Sequence, residues 1–191
     1  MGPRGADKLY KQGITTVEQL RKKPEVLTEM QKIGLKYYED FKVRIPRSEV
    51  EALLAKVREA CFAEVKNSKK VLSVEAVGSY RRGRENCGDI DILITKTDGS
   101  SVAGVIEKVV VRLEKEGFLK ERLGSLRYST TGSEGYMGVC QLDAKHLNRR
   151  IDIKAYPYEQ YGFALLYFTG SGQFNRSMRL FAQKKGYSLS D

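Results

Sequence analysis

The apolar positions of this chain fall into short stretches with two different periods. Val50, Leu53, Leu54, Val57 and Cys61 line one side of a helix, and Ser48 is placed to cap its start. Residues 71–77 and 90–95 are apolar runs too short for a helix and read as strands. Asp98-Gly99 then predicts a turn, and residues 102–115 a helix with Val105, Ile106, Val109 and Leu113 inward, closed by Gly117. Residues 118–122, 136–142 and 150–155 read as three more strands, the first two separated by a polar, glycine-containing loop over 124–135. The order β, β, α, β, β, β predicts an α+β fold, a mixed sheet backed by helices.

Ahead of Ile45-Pro46 the pattern is different, which predicts a separate unit over 1–45. Gly2-Pro3-Arg4-Gly5 leads into a helix over 6–11 that Gly13 ends, and Thr15-Thr16-Val17-Glu18 reads as a capping box opening the next. Ile33, Tyr37 and Phe41 recur at helical spacing around Gly34. By pattern alone this is a small helical bundle.

Lys and Arg number 34 against 24 Asp and Glu, a net charge of +10 with a pI near 9.5. Such an excess favours a polyanionic partner, nucleic acid or an anionic membrane surface. No apolar run is long enough to span a bilayer, and Met1-Gly2-Pro3-Arg4-Gly5 lacks the apolar core of a secretion signal, so the expectation is a soluble intracellular protein without a membrane partner. Cys61, Cys87 and Cys140 are odd in number and scattered, which fits neither a disulfide framework nor a zinc site. His146, the one histidine, has no nucleophile motif beside it.

Candidate chemistry concentrates in Gly78-Ser79-Tyr80-Arg81-Arg82-Gly83-Arg84-Glu85-Asn86-Cys87-Gly88-Asp89-Ile90-Asp91. A Gly-Ser turn follows one strand, and two carboxylates spaced i and i+2 open the next, so Asp89 and Asp91 project together while Ile90, Ile92 and Ile94 face away. Like charges held this close repel, and where phosphate is the substrate a divalent cation relieves them. A polar strand start would account for the Asp pair alone, though not for the turn or the arginines. Asp152 sits on the polar side of 150–155 with Arg150 and Lys154; by itself that is an ordinary surface ion-pair cluster. No Gly-Lys-Ser or Gly-Lys-Thr follows the glycines, so the turn is not a Walker A loop.

Gly78-Ser79, nine intervening residues and Asp89-x-Asp91 resemble the signature of the nucleotidyltransferase superfamily, and the fuller string is similar to that of the family X DNA polymerases, the beta and lambda polymerases. Other stretches match that family in order, including Gly138-Val139-Cys140, Tyr167-Phe168-Thr169-Gly170-Ser171 and Phe174-Asn175-Arg176-Ser177-Met178-Arg179. The resemblance implies helix-hairpin-helix fingers over 1–45, a palm catalytic domain over 46–157, and the start of a thumb-like nucleotide-binding subdomain over 158–191. It also implies template-directed transfer of a nucleotide from a dNTP to a primer 3′-hydroxyl on gapped or primed DNA, in gap filling during repair, by a monomer that is nuclear if the cell is eukaryotic.

By the same resemblance Asp89 and Asp91 bridge two Mg²⁺ ions, with Mn²⁺ as a substitute, while Asp152 binds the catalytic ion and helps deprotonate the 3′-hydroxyl. Gly78, Ser79, Arg82 and Gly88 would meet the triphosphate, and Tyr167, Phe168, Gly170 and Asn175 the sugar and base. Gly2, Arg4, Gly5, Arg150 and Arg179 would contact DNA. Gly172 departs from the family, standing where the beta polymerase has an acid. Both ends look cut, so no deoxyribose-phosphate lyase activity is expected. Two alternatives stay open: a terminal-transferase-like or RNA-end nucleotidyltransferase, and a catalytically inactive DNA-binding fragment. Terminal transferases usually carry Gly-Trp where this chain has Tyr167-Phe168, and the three intact Asp residues oppose the inactive reading.

Overall fold

The computed structural model describes residues 2–66 and 68–189; Met1, Asn67, Ser190 and Asp191 lie outside the described residues. The chain divides into two compact units, the first ending at Glu39 and the second beginning at Asp40.

The first unit holds α1 (Pro3–Lys11), α2 (Val17–Arg21), a 3₁₀ turn at Pro24–Val26, α3 (Glu29–Lys36) and the start of α4 (Tyr38–Lys42). Its buried apolar residues are Leu9, Ile14 and Leu27. α1 begins at Pro3, earlier than the pattern predicts, because proline presets the helical φ where its missing N–H costs nothing. The capping box is also one residue later than expected. The Gln19 carboxamide accepts from Thr15 N (2.8 Å) and Thr16 N (3.2 Å), which makes Thr16 the cap and Gln19, not Glu18, its partner. Thr28 and Gln31 form a second such box at α3. α3 and α4 break at Tyr37, so Ile33 and Phe41 belong to different helices.

The second unit runs β1 (Ile45–Pro46), α5 (Arg47–Glu64), α6 (Ser68–Val71), β2 (Leu72–Ala76), α7 (Gly78–Arg81), β3 (Asn86–Cys87), β4 (Ile90–Lys96) and α8 (Val105–Lys115). It continues through β5 (Leu119–Arg122), β6 (Arg127–Tyr128), β7 (Glu134–Cys140), β8 (Arg149–Ala155), α9 (Tyr158–Thr169) and α10 (Gly172–Lys184). The strands order β2-β4-β8-β7-β5 with β6 on β7; β4 and β8 are parallel, and the other pairs antiparallel. The expected α+β fold with a mixed sheet is therefore observed. β1 and β3 make a separate two-stranded ribbon.

Apolar alternation explains the layers. Ile90, Ile92, Ile94, Ile151 and Ile153 face α5 and α8, whose Leu53, Val57, Ile106, Val109 and Leu113 complete one buried core; fully burying each such side chain is worth about 1.5–3 kcal/mol. On the other face α9 covers part of the sheet, with Ala164, Leu165 and Phe168 packed on Val77 and Leu93. The uncovered remainder of that face carries Asp91 and Asp152. Three polar ties hold the framework. Glu134, buried, accepts from Gly104 N (2.6 Å) and Ile106 N (3.1 Å), which starts α8 at Val105 rather than 102. β7 begins at Glu134 because β6 forms inside the stretch read as loop and pairs with it. Arg149 grips Glu49 through two bonds (2.7 and 2.8 Å) and the Val43 carbonyl (2.8 Å), while Asp40 accepts from Asn148. These last ties fasten Asp40 and Val43 to β8 and the loop before it, within the second unit.

Candidate active site

The register of β4 against β8 builds the site, since Asp91 pairs with Asp152 across the parallel strands and strand alternation turns both away from the isoleucine core. Asp89 precedes β4, and its carboxylate meets Arg150 of β8 at 3.3 Å. Next to them the expected Gly-Ser turn is one turn of helix, α7. Gly78 takes φ +57°, and Asp91 Oδ2 lies so close to it that any Cβ there would overlap the carboxylate. Only glycine combines that backbone conformation with that approach.

These carboxylates share too much charge in too little solvent. Burial, followed by the charges of Asp89 and Asp152, pushes the Asp91 carboxyl up to about 7, against the pull of Arg150 and Arg82. Burial also raises Asp152, aided by Asp89 and opposed by Arg150, Lys154 and Arg127. Asp152 Oδ1 is buried with no hydrogen-bond partner among the described residues. Hard oxygen donors, mutual repulsion and an orphaned buried oxygen fit a divalent cation. With Asp89 turned to Arg150, no group of three His, Cys, Asp or Glu side chains among the described residues is arranged to hold a metal as it stands.

In front of the carboxylates lies a cavity of about 520 Å³. Of the residues singled out from sequence, Gly78, Ser79, Arg82, Gly88, Asp89, Asp91, Arg150, Tyr167, Phe168, Gly170 and Asn175 all line it. Asp152 does not line it, although it is Asp91's neighbour on the adjacent strand. Arg179 lies outside it, its guanidinium 5.2 Å from the Tyr167 ring centroid, in a second cavity that shares Tyr167, Phe168 and Asn175. Gly2, Arg4 and Gly5 belong to the first turn of α1 or its cap, in the other unit.

The wall formed by the end of α9 is held by named bonds. Asn175 Nδ2 donates to the Tyr167 carbonyl (2.8 Å), and Tyr167 packs edge-on to Phe168 at 5.0 Å. At the end of α7, Arg82 donates to the Thr169 carbonyl (2.5 Å) and Arg81 to Thr169 Oγ1 (3.2 Å). Gly170 closes α9 at φ +66°.

Sequence reasoning missed Arg44, which also lines the cavity. Gly88 leaves it room, since a Cβ there would stand 2.9 Å from Arg44 Nη1. Arg47 was missed too. It stacks on Tyr80 (3.9 Å) and donates to the Tyr80 carbonyl (2.8 Å), fastening α7 to α5. The only sequence trace of either is a basic run around Ile45-Pro46, because the β1–β3 pairing that positions them spans two residues. The cysteines offer no rival chemistry: all three are buried and unpaired, and burial pushes Cys61 to about 12.

A mixed sheet with paired carboxylates beside a Gly-Ser helical turn is the architecture of a nucleotidyltransferase palm. Comparison with known families agrees: residues 44–158 match the DNA polymerase beta palm, 1–42 the fingers domain of DNA polymerase lambda, and 164–191 the DNA polymerase beta thumb. The chain belongs to the DNA polymerase beta and lambda family. Along its whole length it is 43% identical to DNA polymerase lambda of Arabidopsis thaliana and 42% identical to that of Rattus norvegicus, covering 36% and 32% of those proteins. It thus spans about a third of the length of the curated relatives it matches. Among the described residues no helix is long and apolar enough to cross a membrane.

Proposed function

We propose that this chain carries the nucleotidyl-transfer centre of a template-directed DNA polymerase that fills gaps during DNA repair. The observation that carries the reading is the pairing of Asp91 with Asp152 beside Gly78 and Ser79. In the reaction the primer 3′-oxygen bonds to the α-phosphorus as the α,β bridging bond breaks, pyrophosphate leaves with the electron pair, and the hydroxyl proton passes to the Asp152 carboxylate. Divalent cations, Mg²⁺ or in its place Mn²⁺, held by Asp89, Asp91 and Asp152 would supply positive charge to the attacking and leaving oxygens.

The chain's own groups do the remainder. Ser79 and the first-turn amides of α7 donate to the triphosphate, and the Arg44 and Arg82 guanidinium groups meet its oxygens. The Tyr167-Phe168 wall crowds the sugar at C2′. Asn175 and Arg179 face minor-groove acceptors that are nearly the same for every base pair, which suits copying. Gly2, Arg4 and Gly5 offer α1 amides and a cation to a DNA phosphate, independent of sequence. In a eukaryotic cell such an enzyme works in the nucleus.

Primer extension with Mg²⁺ on gapped and on single-stranded DNA tests the proposal. Templated insertion into the gap is expected, lost in Asp152→Asn while DNA affinity is kept. Untemplated extension of single strands would instead make the chain a terminal transferase, and binding with no extension would make it a DNA-binding module.

A further inference from the structure

We propose that Arg81 is a positioning residue for sugar discrimination, an inference that rests on the function proposed above. Tyr167 and Phe168 lie in the last turn of α9, which ends at Thr169. Arg81, the last residue of α7, and Arg82, which caps it, converge on that threonine: Arg81 Nη1 donates to Oγ1 (3.2 Å) and Arg82 Nη1 to the carbonyl (2.5 Å). Thr169 Oγ1 in turn donates to the Leu165 carbonyl (2.5 Å). One residue therefore joins the helical turn beside the carboxylates to the wall beside the sugar.

The two arginines are not equivalent. Arg82 lines the cavity with Gly78 and Ser79, whereas Arg81 is not among its lining residues. A triphosphate in the cavity competes with the Thr169 carbonyl for Arg82, and a charged phosphate oxygen is the stronger acceptor. Arg81 keeps its bond in that event. With nucleotide bound, the Arg81–Thr169 hydroxyl bond is then the tie from α7 that still fixes the turn carrying Tyr167, Phe168 and Gly170. Asn175 holds the Tyr167 carbonyl from the other side. Loosening the Arg81 tie enlarges the room at C2′ without touching a triphosphate contact, so it relaxes exclusion of ribose and spares use of the deoxy sugar.

The experiment is single-nucleotide insertion into a gap with dCTP and with CTP, for wild type, Arg81→Ala, Arg81→Lys, Thr169→Val and the double variant Arg81→Ala/Thr169→Val. The wild-type preference for dCTP in kcat/KM should fall about fivefold in Arg81→Ala, the scale of one hydrogen bond at an exposed site. Use of dCTP should stay within about twofold of wild type on the same reasoning. Arg81→Lys should restore most of the preference, Thr169→Val should reproduce the loss, and the double variant should lose no more than either single one. Arg81 is exposed, so its variants should unfold at the wild-type temperature; if one does not, the lysine rescue and Thr169→Val carry the test. An unchanged preference in Arg81→Ala, or equal losses for the two sugars, overturns the inference alone. A wild type that inserts neither nucleotide, or both equally well, overturns the proposed function and the inference with it.

Discussion

The carboxylate cluster should cost the metal-free protein stability, and Asp91→Asn should give that stability back. In the folded chain the Asp91 carboxyl is raised from 3.8 to about 7, and at about 1.4 kcal/mol for each tenfold change its ionisation costs the fold about 4 kcal/mol. The folded state binds the extra proton between those two values. Wild-type stability therefore falls as pH rises from about 4 to about 7 and is level above that as far as this group is concerned. Asparagine cannot ionise, but it remains a buried polar group with a desolvation penalty of about 1–3 kcal/mol, which leaves a net gain of about 2 kcal/mol at pH 8. For a domain of this size that is a rise in Tm of about 4–8 °C. At pH 5 most of the gain disappears, because wild-type Asp91 is then largely protonated. Divalent cation should reverse the order, since it binds the folded wild type and has lost a ligand in the variant. Thermal unfolding of both proteins with EDTA at pH 5 and pH 8, then with Mg²⁺ at pH 8, reads all three effects. A variant less stable than wild type in EDTA at pH 8, or a difference that does not change with pH, would show that the Asp91 charge does not destabilise the fold.

Other perturbations test the supporting contacts. Gly78→Ala should abolish nucleotide insertion and destabilise the fold by about 1–2 kcal/mol, because its Cβ meets both a left-handed φ and the Asp91 carboxylate; unfolding and gap insertion together report it. Arg44→Ala should raise KM for dNTP by about tenfold, a charge-assisted contact worth about 1.4 kcal/mol, with little change in DNA affinity, and Gly88→Ala should resemble it by displacing the Arg44 guanidinium. Glu49→Gln strands the buried Arg149 without its counter-charge and should cost about 3–5 kcal/mol by chemical denaturation, whereas replacing an exposed pair such as Lys11–Asp7 should cost less than about 1 kcal/mol.

How far such a fold is readable from sequence depends on the range of the contact. Strand 149–155 alternates buried and half-buried residues without a break, so the placement of Asp152 away from the core follows from period alone. The Gly-Ser turn is equally plain, but the reason Gly78 must be glycine is Asp91, thirteen positions further on, and no local pattern encodes that approach. α9 shows where hydrophobicity misleads. Phe163, Leu165 and Leu166 all look like core, yet Phe163 is 71% exposed and Leu166 45%, because the helix is apolar nearly all round and it is Tyr161, Ala164, Leu165 and Phe168 that meet the sheet. Arg44 and the Thr169 clamp were invisible for a related reason. Both depend on pairings between distant segments, through β1–β3 and through α7–α9, and each involves only a few residues.

Whether Asp89, Asp91 and Asp152 together hold divalent cations on an incoming nucleotide can be read by counting bound Mn²⁺. Electron paramagnetic resonance titration would use the protein on gapped DNA with a dideoxy-terminated primer and saturating dNTP, so that the complex forms and cannot react. Three intact carboxylates should hold two ions in the complex, one of them the ion that dNTP carries by itself, so uptake exceeds that of DNA and dNTP alone by one ion, and Asp152→Asn should lose that additional ion. Equal uptake by wild type and variant, or no uptake beyond DNA and dNTP, would show that the three carboxylates do not hold it.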